Sequence, residues 1–299
     1  MKDFLYRGII DGLNARFAVV HATATVNAGV IAHNSDPASA LLLCRALGSG
    51  LLISPLLQDD HRFTINWMYE GPAQKLTVDV GSDSDVRGLI TGQNLSSIGS
   101  SINELYGEKG QIAVVRSNQK FIISSSVTEA GLLDIGDDLG FYFSTSEQIE
   151  TDFEIGVNFR PDPEAPVSLC QGFMLQALPD CDLEKLDRAR QRMRSQAFQD
   201  LLNSAPEVDN HVELLIQQLF DEDETNKEYS LHDCPEPKFQ CKCSKEKTSL
   251  AINTLTLDDL QDYINNKEDI VVTCHFCCTP YTFGQTEIQQ VIKDKSQDS

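Results

Sequence analysis

Four cysteines in the last quarter of the chain constrain its folding more than any other feature. They stand as Cys241-Lys242-Cys243 and Cys274-His275-Phe276-Cys277, a CxC followed by a CxxC. Two close pairs of thiolates can close a tetrahedral shell around one Zn²⁺. They can equally form the disulfides Cys241–Cys243 and Cys274–Cys277. The two outcomes differ in what they crosslink. A metal ties the pairs to each other across the intervening segment, whereas the disulfides tie each pair only to itself. Oxidation then removes a long-range crosslink, so the pattern suggests a fold that depends on redox state.

Magnitudes favour a switch wherever an oxidant reaches the sulfurs. Structural zinc contributes roughly 10–16 kcal/mol of apparent binding energy in small modules. A typical domain has a total stability of about 5–15 kcal/mol. Loss of the metal should therefore unfold a module that depends on it. The replacement disulfides close very short loops and add little, because entropic stabilisation grows with loop length. An i,i+2 disulfide is also expected to be strained and easily reduced again. A permanent structural zinc site uses the same residues, and spacing alone leaves both readings open.

The compartment follows from cysteine usage. The 299 residues include nine cysteines, six of them after residue 230. The start, Met1-Lys2-Asp3-Phe4-Leu5-Tyr6-Arg7, has no long apolar region and no small-residue cleavage site. A reducing cytosol is the expectation, where clustered cysteines signal metal or redox chemistry. The sequon Asn94-Leu95-Ser96 then has no consequence. A formal net charge of −21 disfavours nucleic acid and anionic membranes as partners. It also keeps a protein that exposes apolar surface in solution. The most apolar stretch, Ala38 to Leu57, is interrupted by Arg45, Gly48, Gly50 and Pro55, which predicts a buried helix pair and not a membrane span.

Residues 1–180 read as a mixed N-terminal domain. Asp36-Pro37 is a helix start, with a capping side chain and a proline in the first turn. Strand-like runs rich in β-branched and aromatic residues cover Phe63–Trp67, Leu76–Val80 and Ile112–Val115, with turn signals at Gly71-Pro72, Gly81 and Asn118. Leu132–Phe143 reads as a helix. Phe153–Phe159 and Val167–Leu178 read as strands, separated by Pro161, Pro163 and Pro166. Strands come in runs without strict helix alternation, which predicts an α+β class.

Residues 181–230 read as a helical linker. Leu183, Leu186, Ala189, Met193 and Ala197 form a narrow apolar stripe on a charged helix. A second helical run, Val212–Phe220, follows Pro206, and the acidic Asp221-Glu222-Asp223-Glu224 ends the segment. Such a stripe makes either a solvated connector or a marginal helix pair that is the first element to detach. Residues 231–299 form a C-terminal module with few apolar residues. Thr256-Leu257-Asp258-Asp259 starts a short helix through Ile264. A segment of this size has too little core to fold alone and needs a metal staple.

The remaining thiols read as bystanders. Cys44, Cys170 and Cys181 lie in or beside apolar segments and are small buried hydrophobes. Cys234 is expected outside the shell; Cys278, beside Cys277, reads as a bystander or as an alternative ligand or disulfide partner; and His275 could ligate but is expected to face solvent between two liganding sulfurs. Phe276, Tyr281 and Phe283 are expected to shelter the metal. GxxxxGK[ST], GxSxG and HExxH motifs are missing, and Gly48-Ser49-Gly50 is too weak for a dinucleotide site. Two competing readings use the same cysteines. One is a constitutive zinc protein that binds a fixed partner. The other is a dithiol oxidoreductase working through Cys274 and Cys277.

The run Cys241-Lys242-Cys243-Ser244-Lys245-Glu246 resembles the CxCS(R/K)E motif of the redox-regulated heat-shock chaperone family of about 33 kDa, and this chain is 33.2 kDa. Val272-Thr273-Cys274-His275-Phe276-Cys277, with Tyr281 and Phe283 after it, resembles that family's second motif. Gly71-Pro72, Val86-Arg87-Gly88, Ser146-Glu147-Gln148 and Gly172-Phe173-Met174-Leu175-Gln176-Ala177-Leu178-Pro179 resemble family landmarks in the expected order, so the resemblance spans the whole chain. It implies a cytoplasmic, ATP-independent holdase, not an enzyme, that is inactive while Cys241, Cys243, Cys274 and Cys277 hold zinc. Oxidation is implied to form disulfides Cys241–Cys243 and Cys274–Cys277, release the metal, unfold the module and loosen the linker near Leu183 to Phe220. The active form implied is a homodimer that captures unfolding client proteins. One departure stands out: Cys278 occupies a position where the family commonly has Gly, so a wrong disulfide to Cys274 or Cys277 becomes available.

Overall fold

The computed structural model describes residues 2–92, 94–98, 101–204, 210–221 and 228–297. Pro206 and the acidic run 222–224 lie outside the described residues. The chain is α+β and divides into two compact units, Met1–Gln240 and Cys241–Ser299.

The first unit opens with an antiparallel hairpin, β1 (Phe4–Ile10) and β2 (Ala15–His21), then helices α1 (Thr23–Ala32) and α2 (Pro37–Ile53). Asp36 caps α2 by accepting hydrogen bonds from the backbone N–H groups of Ala38 and Ser39. The expected helix pair over Ala38–Leu57 is instead this single helix, followed by one 3-10 turn over Ser54–Leu56. Gly48 and Gly50 do not break it, because they serve packing. A Cβ on Gly50 would lie 2.6 Å from Cγ1 of Val78, so the missing side chain lets the helix approach a strand. The run Pro37–Leu56 is long and apolar enough to cross a membrane, but 78% of its most apolar 18 residues are buried.

Strands β3 (Arg62–Tyr69), β4 (Lys75–Gly81) and β5 (Asp85–Ile90) follow as an antiparallel meander. After the short α3 (Ile102–Tyr106), strands β6 (Gly110–Ser117) and β7 (Ile122–Glu129) extend the same sheet. Helix α4 spans Ile135–Tyr142, shorter than the Leu132–Phe143 expectation, because Asp134 adopts an extended backbone and caps it. Strands β8 (Thr151–Phe159) and β9 (Val167–Ala177) return to the first hairpin. Helices α5 (Leu183–Met193), α6 (Gln196–Leu202) and α7 (His211–Gln217) come next, then the two-residue strands β10 (His232–Asp233) and β11 (Lys238–Phe239). The expected stripe from Leu183 to Ala197 breaks at Ser195, whose hydroxyl starts α6 by accepting from the Phe198 N–H.

These strands make a five-stranded sheet ordered β10-β1-β2-β9-β8 and a six-stranded sheet ordered β11-β5-β4-β3-β6-β7. Helix α2 packs against β4 and β5 of one sheet and β8 and β9 of the other. The period of two in β2 and β9 separates two cores. Ala18, Val20, Cys170 and Met174 join the cluster around α2, while Phe17, Val19, Phe173 and Leu175 point to the opposite face. Leu186, Ala189, Met193, Phe198, Leu215 and Ile216 from α5 to α7 cover that face.

The second unit contains α8 (Lys245–Ile252), α9 (Leu257–Asn266), the hairpin β12 (Ile270–Thr273) and β13 (Pro280–Phe283), and α10 (Gln285–Gln297). The expected helix start at Thr256 is a reciprocal capping box with Asp259. Among the described residues the unit's buried core consists of Ile252, Leu260, Ile270, Phe283 and Ile288, with seven partly buried apolar residues packed against it. Five buried residues are few for a unit of this length, and such small cores usually need a staple.

Candidate metal centre

Two local structures carry the four cysteines. Cys241 and Cys243 lie in a stretch without regular secondary structure that ends where Ser244 caps α8 by accepting from the Lys247 N–H. Cys274 and Cys277 occupy the tip of the β12–β13 hairpin. There the Cys274 N–H donates to the Thr279 carbonyl at 3.0 Å, and the Cys278 N–H donates to the Cys274 carbonyl at 2.8 Å. Cys278 closes this turn with a φ of 55°, in the left-handed region that favours glycine.

The hairpin tip and the irregular stretch bring all four sulfurs within 4.8 Å of one another. Cys241 Sγ is 3.7 Å from Cys274 Sγ, and Cys243 Sγ is 3.4 Å from Cys277 Sγ. These two contacts run between the CxC and the CxxC. A tetrahedron with Zn–S bonds of about 2.3 Å has edges of about 3.8 Å. The cluster is able to hold a metal ion, and its all-sulfur donor set and spacing fit Zn²⁺. No disulfide joins any of the nine cysteines.

The sulfurs differ in their surroundings. Tyr281 Oη lies 3.1 Å from Cys243 Sγ, and Thr279 Oγ1 lies 3.3 Å from Cys277 Sγ. Burial pushes the Cys243 thiol up to about 12, with the neighbouring sulfurs adding to the effect and Tyr281 opposing it. Burial also raises Cys274, against hydrogen bonds from the Cys277 and Phe276 backbone. At Cys277 burial is outweighed by hydrogen bonds from the Thr279 side chain and backbone and from Cys243 and Cys274, which bring it to about 7. A bound cation favours the thiolate at all of these positions.

The other singled-out residues lie outside the four-sulfur group. Cys44 and Cys170 are buried in the first unit, where burial raises both thiols. Cys181 Sγ donates to the Leu13 carbonyl at 3.1 Å. Cys234 is half-buried against the main core of the first unit. His275 is exposed. Of the expected sheltering aromatics, Phe283 is buried in the module core, Phe276 is half-buried, and Tyr281 reaches a sulfur through its hydroxyl. Sequence reasoning missed that hydroxyl contact and the one from Thr279, because neither follows from cysteine spacing.

Known proteins resemble this chain over its whole length. The chain is 25% identical to the 33 kDa chaperonin of Geobacillus kaustophilus (strain HTA426) over 97% of its residues and 98% of that protein. It is 27% identical to the 33 kDa chaperonin of Streptococcus pneumoniae (strain JJA) over 98% of its residues and 100% of that protein. The crystal structure of the 33 kDa chaperonin (heat shock protein 33 homolog) from Thermotoga maritima shares the fold, with a TM-score of 0.83, 24% identity and full coverage of both chains. The family described as "Hsp33 protein" matches residues 3–284. The chain therefore belongs to the Hsp33 protein family, a family of chaperonins and not of enzymes.

Proposed function

We propose that this chain is a redox-regulated, ATP-independent holdase that captures unfolding proteins under oxidative stress. The observation that carries this reading is the pairing of Cys241 with Cys274 and of Cys243 with Cys277 across the two motifs. In this reading Cys241, Cys243, Cys274 and Cys277 hold Zn²⁺ in the reduced, inactive protein. The metal supplies the crosslink that a five-residue core cannot. Oxidation forms disulfides Cys241–Cys243 and Cys274–Cys277. Each sulfur then leaves its cross-motif neighbour, the metal departs, and the module unfolds.

Residues 181–230 are proposed as the second switch element, between an N-terminal domain over 1–180 and a redox module over 231–299. Helices α5 to α7 cover the Phe17–Phe173 face of the five-stranded sheet, so their release would expose a contiguous apolar surface for clients. The family resemblance supports a cytoplasmic setting and a homodimer in the oxidised state. The charge of −21 keeps such a surface-exposing state in solution and argues against nucleic acid and membrane partners.

The test is to treat zinc-loaded protein with peroxide at elevated temperature. Zinc release, far-UV circular dichroism and suppression of client aggregation are then followed together. All three should respond in concert, and thiol reductant with zinc should reverse them. Zinc retained in fully active protein would overturn the reading.

A further inference from the structure

The CxC segment has no regular secondary structure at Cys241–Cys243, so nothing in its own backbone ladder fixes where the Cys243 sulfur sits. Tyr281 is anchored differently. It lies on β13, opposite Val272 of β12, and its half-buried ring packs against the module core. The hairpin that carries Cys274 and Cys277 thus also carries a phenol whose oxygen is 3.1 Å from Cys243 Sγ. When a metal holds Cys243 as a thiolate, the phenol is the only partner in this contact with a proton to give. The contact is then an O–H donated to a charged sulfur, a stronger bond than its neutral counterpart. Groups of this kind orient metal ligands and tune their reactivity. Cys277 has its hydroxyl neighbour, Thr279, within its own turn, so the Tyr281 contact differs in joining the two motifs.

We propose that Tyr281 is a positioning residue for the sulfur cluster, holding Cys243 against the hairpin and restraining that sulfur's attack on oxidants and other electrophiles. This rests on the redox reading above. In the restrained step, the Cys243 thiolate attacks one oxygen of hydrogen peroxide and the O–O bond breaks. Hydroxide leaves and sulfur becomes a sulfenic acid. The Cys241 thiol then displaces water to form the S–S bond. A hydrogen bond to the sulfur lone pair slows the first event. Tethering Cys243 to the hairpin opposes its turn toward Cys241 in the second.

The experiment uses the full chain loaded with Zn²⁺ or Co²⁺, as wild type, Tyr281→Phe and a control, Tyr263→Phe. Tyr281→Phe keeps the ring and removes only the hydroxyl. Iodoacetamide labelling is followed by mass spectrometry at each cysteine, alongside metal release by peroxide and the sulfur-to-cobalt charge-transfer band. Tyr281→Phe should label Cys243 on the order of tenfold faster, leave Cys277 unchanged, and move the charge-transfer band to lower energy. The control should match wild type. Equal Cys243 rates in metal-loaded wild type and Tyr281→Phe would overturn the assignment alone. Faster Cys243 labelling with no disulfides formed by peroxide would sink the redox reading and leave Tyr281 in its role. A chain that binds neither metal overturns both.

Discussion

Cys241 and Cys274 stand 33 positions apart in the chain, and their sulfurs lie 3.7 Å apart. A small apolar core and the Lys245–Glu287 ion pair also close that span. The core beneath it has five buried residues, and α9 and α10 are largely exposed. Chelation of the metal should therefore collapse protection from hydrogen exchange across residues 245–297. Peptides from β2 and β9, in the core of the first unit, should keep theirs. Cys274→Ser should give the same pattern without a chelator. Exchange in the second unit that ignores the chelator would remove the physical basis of the switch.

Phe198 is fully buried and meets Phe173 edge to face, with ring centroids 5.4 Å apart and an interplanar angle of 87°. Truncating such a residue costs about 3–5 kcal/mol. Helix α6 has only seven residues and buries just Phe198 and Leu202. Phe198→Ala should therefore detach the linker helices without any oxidant. An apolar fluorescent dye should bind the reduced mutant, and that mutant should suppress client aggregation. A reduced mutant as inert as wild type would argue against the linker's proposed role.

Glu154 on β8 gives a pH dependence. Burial raises its carboxyl from the ordinary 4.5 to about 7; Asp137 and Asp134 add to the effect, while a hydrogen bond from Gln199 of α6 and the Arg194 charge oppose it. The folded state thus binds the Glu154 proton more tightly than the unfolded chain does. This term favours folding most below pH ~4.5, weakens as pH rises toward 7, and is lost above it. Glu154→Gln should stabilise the first unit at pH 8 by roughly 1–3 kcal/mol. It should change little at pH 5. Urea titrations at the two pH values check this.

Cys278 closes the hairpin tip at a φ of 55°, while its N–H makes the turn hydrogen bond to Cys274. A side chain in the left-handed region costs about 1–2 kcal/mol relative to glycine, partly offset by the greater freedom of glycine in the unfolded chain. Cys278→Gly should stabilise the metal-loaded second unit by up to about 1 kcal/mol. The readout is a higher denaturant midpoint for exchange in β12 and β13. A lower midpoint would show that the Cys278 side chain contributes more than the strain removes.

Spacing and local chemistry carried much of this protein in one dimension. CxC and CxxC mark the sulfur cluster because paired thiolates need short separations to meet one ion. Asp36 and Thr256 mark helix starts because a short polar side chain satisfies the first exposed N–H groups. Three strands of the six-stranded sheet, β3, β4 and β6, appear as β-branched runs near turn residues, whereas β5, β7 and the two-residue β11 carry no such local signal. Other features needed the third dimension. Gly48 and Gly50 read locally as breaks, yet α2 runs through them because Val78 and Ile155 press on those positions. The order β10-β1-β2-β9-β8 joins the N-terminal hairpin to strands more than a hundred residues away, which no local pattern relates. The approach of the Tyr281 hydroxyl to Cys243 depends on how a hairpin and an irregular stretch converge. Periodicity and capping act over a few residues and so are written in the sequence. Contacts between distant segments depend on how the whole chain packs.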